Sequence, residues 1–438
     1  MTDLMTRRFD TLGPYSPLFY DRPIEFVRAE GVWLTDVNGD RYLDGYNNVP
    51  HVGHAHPRVV AAIAEQAATL NIHTRYLNDR VVDYAERLLA TFDDAIDRIV
   101  FTNSGSESND LAFRIATQHS GAPGILISDF SYHGHTQALA RVTTGLRAHE
   151  GLGGHVRTLR VPDLDGQDRG LPADAVLAAA LREADEAIAA LQADGHGVAA
   201  VLFDSLFSTE GLNRVPSGFV SGLADRVRRA GGLVIADEVQ SGFGRTGRSF
   251  WGHGNHGIVP DLVTMGKPMG NGHPLGGVAL PAALLDEFGP RNMYFNTFGG
   301  NPVSAAAGLA VLDVLRDERL VERAHANGRV IRDALAALGS EHPWIGVPKG
   351  DGLFFGVEVY DRPAAAADAL PDPARTKAVV EAMRDRHVLI SRIGRHDSVL
   401  KMRPPLAIEP PDVHLLLAAF SDALTEVEGR ANAPISAF

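Results

Sequence analysis

The chain has 438 residues, of which 45% are hydrophobic and 22% charged, so it can bury a sizeable core like an ordinary globular protein. Its formal net charge of −13 argues against nucleic acid or an anionic membrane as the main partner. Because the chain contains no cysteine, disulfides, thiolate metal sites and cysteine nucleophiles are excluded.

Neither a membrane span nor a secretory signal is predicted. No apolar stretch approaches the roughly 18 residues that a transmembrane helix needs. The N-terminal sequence also lacks the apolar core of a signal peptide. We therefore expect a cytoplasmic protein without a membrane partner.

The N-terminal part of the chain predicts a small antiparallel region. Turn signals between residues 27 and 46 separate short strand-like runs. The histidines His51, His54 and His56 that follow could hold a metal ion. Because no carboxylate partner is evident beside them, no metal site is predicted.

The middle of the chain alternates short apolar runs with longer helical patterns, as in 174–193, which is typical of a mostly parallel α/β sheet covered by helices. The runs predicted as strands are 98–102, 124–128, 200–204, 233–237, 261–265 and 277–280. Ligand groups in such folds lie at the carboxyl ends of strands. Asp237, Lys267 and the segment Ser104-Gly105-Ser106 all occupy such positions.

The C-terminal part predicts a second, smaller α+β domain. The chain becomes helical after about residue 315, and strand-like runs follow at 352–359 and 399–403. The predicted parts are an N-terminal segment packing with the small domain (1–60), a large cofactor-binding domain (61–315) and the small domain itself (316–438).

The most informative residues are Lys267 and Asp237. The chain has only four lysines and otherwise uses arginine, so a lysine among glycines indicates chemistry that a permanently charged guanidinium cannot perform. Asp237 ends an apolar run on the preceding predicted strand. Pyridoxal phosphate (PLP) enzymes need this pair: the lysine holds the aldehyde as a Schiff base, and the carboxylate keeps the pyridine nitrogen protonated.

Two further motifs fit a cofactor that carries phosphate. Ser104, Gly105 and Ser106 begin a predicted helix, whose first N–H groups can bind phosphate, although the same residues also make ordinary helix caps. Tyr132 could stack on a planar cofactor or be a core tyrosine beside a turn. The chain has neither a P-loop nor a G-x-S-x-G elbow, so neither a P-loop nucleotide site nor a serine hydrolase is predicted.

Together these segments resemble the class III aminotransferases, which are PLP enzymes of fold type I, and the resemblance extends over residues 31–406. It implies that Lys267 holds the cofactor covalently and moves the proton during catalysis. It also implies that Asp237 pairs with the pyridine nitrogen and that Gln240 lies near the phenolic oxygen of the ring.

The resemblance assigns the remaining cofactor contacts. It implies that Gly105 and Ser106 bind the phosphate, and that Tyr132 and Val239 lie on opposite faces of the ring. Thr297 matches a threonine that reaches the phosphate from the neighbouring subunit. A homodimer with shared active sites is therefore implied.

Two positions depart from the family pattern. Many members pair a glutamate with a late arginine that takes the substrate carboxylate, but this chain has Thr209 and Lys401 at about those positions, with Arg403 two residues further on. The predicted substrate-binding residues are accordingly Tyr76, Lys401 and Arg403. The segments that look like a subgroup containing amino-phosphate phospho-lyases begin at Asn47, Thr74 and Asn296.

Three functions remain open from the sequence. The leading hypothesis is an aminotransferase that moves an amino group from an amine or amino acid to a 2-oxo acid. The alternative is a lyase that expels phosphate or another β-substituent from an amino-phosphate, aminophosphonate or hydroxyamine. The third is a protein that binds the cofactor without turnover.

Overall fold

The computed structural model describes residues 2–146 and 149–431. The strands are β1 (Phe26–Glu30), β2 (Trp33–Asp36), β3 (Arg41–Asp44), β4 (Arg98–Thr102), β5 (Ile125–Ser128), β6 (Val156–Leu159), β7 (Ala200–Asp204), β8 (Leu233–Asp237), β9 (Leu262–Met265), β10 (Gly276–Leu280), β11 (Lys349–Asp351), β12 (Phe354–Glu358), β13 (Val388–Leu389), β14 (Ser391–Ile393) and β15 (Val399–Met402). The α-helices are α1 (Thr2–Leu12), α2 (Pro57–Thr69), α3 (Asp79–Leu89), α4 (Gly105–Ser120), α5 (Gln137–Ala140), α6 (Ala173–Ala193), α7 (Phe219–Arg229), α8 (Ala282–Phe288), α9 (Pro302–Asp317), α10 (Leu320–Glu341), α11 (Pro373–Asp385) and α12 (Pro410–Ala431).

A seven-stranded sheet in the order β4-β10-β9-β8-β7-β5-β6 forms the centre of the fold. Its neighbouring strands pair in parallel except at β10, which is antiparallel to both β4 and β9. The connection from β9 to β10 is too short for the helical crossover that a parallel pair requires. The predicted, mostly parallel α/β sheet is confirmed, and its six predicted strands form to within one residue of their expected ends.

Strand β6 was not predicted. It lies at the edge of the sheet, where only its first and last residues, Val156 and Leu159, are buried. An edge strand with polar residues between its apolar ends lacks the continuous apolar run that identifies the inner strands.

Two smaller sheets flank the large one. The first, in the order β1-β2-β3-β13, contains the predicted antiparallel region, and its C-terminal strand pairs in parallel with β3 through Val388 and Leu43. The second has the order β11-β12-β15-β14 and is antiparallel throughout. The domain boundaries at residues 60 and 315 stay a prediction.

The largest hydrophobic cluster joins distant parts of the chain. Helix α9 is buried along most of its length, contributes to this cluster and packs on α2 and α3. The same cluster contains Leu43 from β3, together with Leu400 and Met402 from β15. None of the helices in the described ranges combines the length and the apolar character needed to cross a bilayer.

Candidate active site

The candidate site lies at the carboxyl ends of β7, β8 and β9. Their register places Asp204 beside Asp237, and Asp237 beside Thr264. Lys267 follows three residues later, in a 3-10 turn that starts directly after Gly266. A cavity of about 300 Å³ opens here, and its lining includes Gly105, Ser106, Tyr132, Asp204, Asp237, Val239, Gln240 and Lys267.

Asp237 is the centre of a buried hydrogen-bond network. Its Oδ2 accepts from His133 Nδ1 at 2.8 Å and from Asn109 Nδ2 at 2.9 Å, while its Oδ1 accepts from the Val239 N–H at 3.0 Å. Asn109 is itself oriented by Thr264, whose hydroxyl donates to its amide oxygen at 2.6 Å. These contacts fix the carboxylate, as expected for a buried charge that must be fully hydrogen-bonded.

His133 was not identified from the sequence, although it directly follows the predicted Tyr132. Burial alone would lower the pKa of His133, but its hydrogen bond to Asp237 and the charge of that carboxylate outweigh burial and raise the pKa. The other ring nitrogen, Nε2, is buried and has no hydrogen-bond partner among the described residues. The hydrogen bond from His133 therefore helps to hold the Asp237 carboxylate in place at the cavity.

Lys267, which lines the cavity, has a lowered pKa. Burial lowers the pKa of Lys267, and Arg403 lowers it further, whereas Asp237 and Asp204 oppose this shift. A lysine with a lowered pKa is more often the free amine, which can act as a nucleophile or a base. The amine and the carboxylate predicted from the sequence thus meet in one cavity.

The N-terminus of α4 also lines the cavity, close to Gly266 and Val239. Ser104 caps the helix by accepting from the Glu107 N–H at 3.2 Å, and the earlier N–H groups of Gly105 and Ser106 have no intrahelical acceptor. A Cβ at position 105 would lie 2.7 Å from Val239 Cγ2, so only glycine fits this approach. The arrangement provides free backbone donors and a positive helix end for an anion.

A second group of residues joins the cavity through Gln240. The amide of Gln240 donates to Ser208 Oγ at 2.7 Å and accepts from Arg403 Nη1. Successive side chains of β15 point to opposite faces of the sheet. Leu400 and Met402 point into the hydrophobic core, so Lys401 points to the other face. Arg403 contacts the cavity-lining Gln240, and Lys401 lies near enough to Lys267 for the two charges to interact, although neither Lys401 nor Arg403 lines the cavity.

Lys401 and Arg403 are buried cationic side chains that form no direct ion pair within the described residues, although the charge of Asp204 acts on both. Lys401 is 6% exposed and Arg403 is 5% exposed. Burial holds the pKa of Lys401 well below its usual range, and the charges of Arg403 and Lys267 lower it further. Such a pair is unfavourable until an anion joins it, so it indicates an anion-binding site.

Tyr76 and Thr297 are not brought to this cavity within one chain. Both are exposed, Tyr76 to 61%. His73 connects their two segments, because its ring contacts both Tyr76 and Phe295. The surface around them carries the exposed apolar side chains Leu77, Met293 and Phe298.

The three N-terminal histidines have separate partners. His51 donates to the Phe243 carbonyl at 2.7 Å, His54 contacts Asp44 at 2.6 Å, and His56 contacts Glu318 at 3.0 Å. The described ranges contain no group of three or more side chains arranged to hold a metal ion.

Comparison with known proteins identifies relatives along nearly the whole chain. The family model described as aminotransferase class-III matches residues 19–424. A Drosophila melanogaster protein named alanine–glyoxylate aminotransferase 2-like is 38% identical, over 97% of this chain and 87% of the relative. A Caenorhabditis elegans protein named ethanolamine-phosphate phospho-lyase homolog 1 is 36% identical, over 97% and 93%.

Solved structures extend this similarity to the fold. A phospholyase from Arthrobacter in complex with phosphoethanolamine is 55% identical, with a TM-score of 0.94 over 99% of this chain and 100% of that chain. An (S)-enantioselective omega-transaminase from Thermomicrobium roseum is 29% identical, with a TM-score of 0.85 over 97% and 98%. Proteins of both activities therefore share this architecture.

Proposed function

Because this chain belongs to the class III aminotransferase family, we propose that it uses the chemistry of that family to eliminate phosphate from a small amino-phosphate. It is a PLP-dependent enzyme of fold type I, and its substrates are small molecules. The observation that carries the proposal is the pair of buried cations, Lys401 and Arg403, beside the cofactor cavity.

The residues of the cavity fit pyridoxal 5′-phosphate. The free N–H groups of Gly105 and Ser106 would hold its phosphate, and the Asp237 carboxylate would keep a proton on its ring nitrogen. Tyr132 and Val239 line the space between these two ends, where the flat ring would lie.

When bound, the cofactor withdraws electrons from the substrate carbon that carries the amino group, so a proton on that carbon becomes acidic. Lys267 Nζ, with its lowered pKa, is the base that takes this proton. The electron pair left behind expels phosphate from the neighbouring carbon, and the C–O bond to phosphate breaks. Lys267 would return the proton to the carbon that lost phosphate, and water would then displace the amino group as ammonia. The products are inorganic phosphate, ammonia and a carbonyl compound.

The charges beside the cavity favour a phosphate over a carboxylate. A phosphate monoester carries about −1.5 to −2 charge near neutral pH, and it offers three acceptor oxygens. Lys401 and Arg403 supply matching positive charge and several donors. The relatives named for ethanolamine phosphate and phosphoethanolamine support the same substrate class.

Transamination, which the sequence analysis favoured, is the second candidate, and the Drosophila relative named as an aminotransferase supports it. A single-turnover assay with phosphoethanolamine separates the two reactions. We expect about one phosphate and one ammonia per active site without a 2-oxo acid, and recovery of the original cofactor absorbance. Accumulation of pyridoxamine phosphate without phosphate release would instead support transfer. The same assay with alanine and a 2-oxo acid serves as the comparison.

The affinity for phosphate-bearing substrates is expected to depend on the charge of Lys401. Only the protonated amine binds phosphate strongly, so KM should rise as pH increases through the lowered pKa of Lys401. Arg403 and Lys267 contribute to that lowering, while Asp204 and Asp397 oppose it. Steady-state assays across the neutral and alkaline range measure this rise.

Two substitutions at Lys401 test the assignment. Lys401→Met should raise KM for phosphoethanolamine about 10- to 100-fold, because a hydrogen bond to a charged group is lost. Lys401→Arg keeps its charge at every pH used, so it should retain binding and remove the alkaline rise. An unchanged alkaline rise in Lys401→Arg would assign the titration to a different group.

We also propose a cytoplasmic homodimer in which Thr297 of each subunit reaches the other subunit's cavity. Near Thr297 the surface carries exposed apolar side chains, which supports its being covered by a second subunit. They are Tyr76, Leu77, Met293 and Phe298. Sedimentation of the holoenzyme at micromolar concentration tests the dimer, and a monomer would contradict it.

A further inference from the structure

Tyr46 presents its ring to both buried cations. Its ring centroid lies 5.4 Å from Lys401 Nζ and 5.2 Å from the guanidinium carbon of Arg403. The residue follows β3 in a turn that Asp44 stabilises, because the Tyr46 N–H donates to Asp44 Oδ1 at 2.9 Å. Both cations thus lie close to a single aromatic ring.

Several contacts hold Tyr46 and Arg403 together. The Arg403 N–H donates to the Gly45 carbonyl at 2.7 Å, and Arg403 Nε donates to the Tyr46 carbonyl at 3.3 Å. The guanidinium also lies 5.1 Å from the ring of Phe354, so it is in contact with two aromatic rings. Phe19 packs edge-on against Tyr46 with a centroid distance of 4.8 Å.

An aromatic ring affects such cations differently from a carboxylate. The electron-rich face attracts a cation and so opposes the repulsion between Lys401 and Arg403. A carboxylate would do the same, but it would also occupy their N–H donors. A ring face leaves most of these donors free for an incoming anion.

We propose that Tyr46 is a specificity-determining residue, whose ring face keeps Lys401 and Arg403 together as a phosphate-binding pair. This inference rests on the proposed function and deepens it, because it names what makes the cation pair available to phosphate. Tyr46→Leu removes the ring face and should weaken phosphate binding about tenfold. Tyr46→Phe keeps the face and should restore the affinity.

The test is calorimetric titration of the holoenzyme with inorganic phosphate, so that the cofactor already occupies its own phosphate site. Wild type, Tyr46→Leu and Tyr46→Phe are compared, and KM and kcat for phosphoethanolamine are measured in parallel. The tenfold effect should fall on KM rather than on kcat. Tyr46→Met serves as a second aliphatic variant if the leucine variant fails to load cofactor.

The outcomes separate this inference from the proposed function. Phosphate affinity in Tyr46→Leu equal to that of wild type would overturn the role of Tyr46. An equal loss in the leucine and phenylalanine variants would also overturn it, since it would assign the effect to the hydroxyl. So would a wild-type holoenzyme that binds no inorganic phosphate. Ring-dependent phosphate binding without phosphate release from phosphoethanolamine would uphold the inference and defeat the proposed lyase.

Discussion

Lys267→Ala is expected to lower kcat by about 10⁴-fold or more, because in the proposed mechanism Lys267 both attaches the cofactor covalently and takes the substrate proton. The cofactor should still bind, since Asp237 and the N-terminus of α4 remain. Its absorbance should change to that of a free aldehyde. Stopped-flow assays and absorbance spectra of the cofactor-saturated variant measure both effects.

The chain offers a matched control for this substitution. Lys377 is another of its four lysines, half-exposed and paired with Asp21 at 2.7 Å. Lys377→Ala should therefore retain wild-type kcat. Borohydride reduction of the wild-type holoenzyme, followed by peptide mapping, should find the cofactor on Lys267. A label on a different lysine would contradict the assignment.

Asp237→Asn is expected to lower kcat about 10²- to 10³-fold, the usual range for removing one preorganised electrostatic group. The amide is nearly the same size but cannot hold a proton on the cofactor ring as a carboxylate does. The pKa of His133 should also fall in the variant, because the hydrogen bond and charge of Asp237 are what raise it. NMR titration of the His133 ring measures this second effect.

Asp261→Asn is the control for replacing a carboxylate by an amide outside the cavity. Asp261 precedes β9 and pairs with Arg228 at 3.1 Å, away from the cavity. It should alter stability without a comparable loss of kcat. A wild-type rate in Asp237→Asn would show that the ring nitrogen needs no carboxylate in this enzyme.

The sequence predicted the inner strands because helices cover both faces of the sheet. Strands β7 and β8 are buried along their whole length, which leaves continuous apolar runs that end in Asp204 and Asp237. The meeting of Asp237 and Lys267 followed from the same rule, since parallel strands end at one edge. The edge strand β6 lacks such a run.

Contacts between distant segments could not be predicted in this way. Asn109 and His133 contact Asp237 from 128 and 104 residues away in the sequence. Their neighbouring residues give no indication of this contact. The role proposed for Tyr46 likewise depends on a contact with the far end of the chain. The roles of Tyr76 and Thr297 come from the family resemblance, and within one chain these residues lie outside the cavity.

The surroundings of Arg403 are assembled from segments that lie far apart in the sequence. Tyr46 and Arg403 contact each other across 357 residues, and the Leu43 N–H donates to the His387 carbonyl at 2.8 Å. During translation, the segments that line the cavity emerge long before these contacts can form. A nascent chain can therefore shape the cavity around Asp237 and Lys267 first, whereas the surroundings of Lys401 and Arg403 form only after β15 has been made.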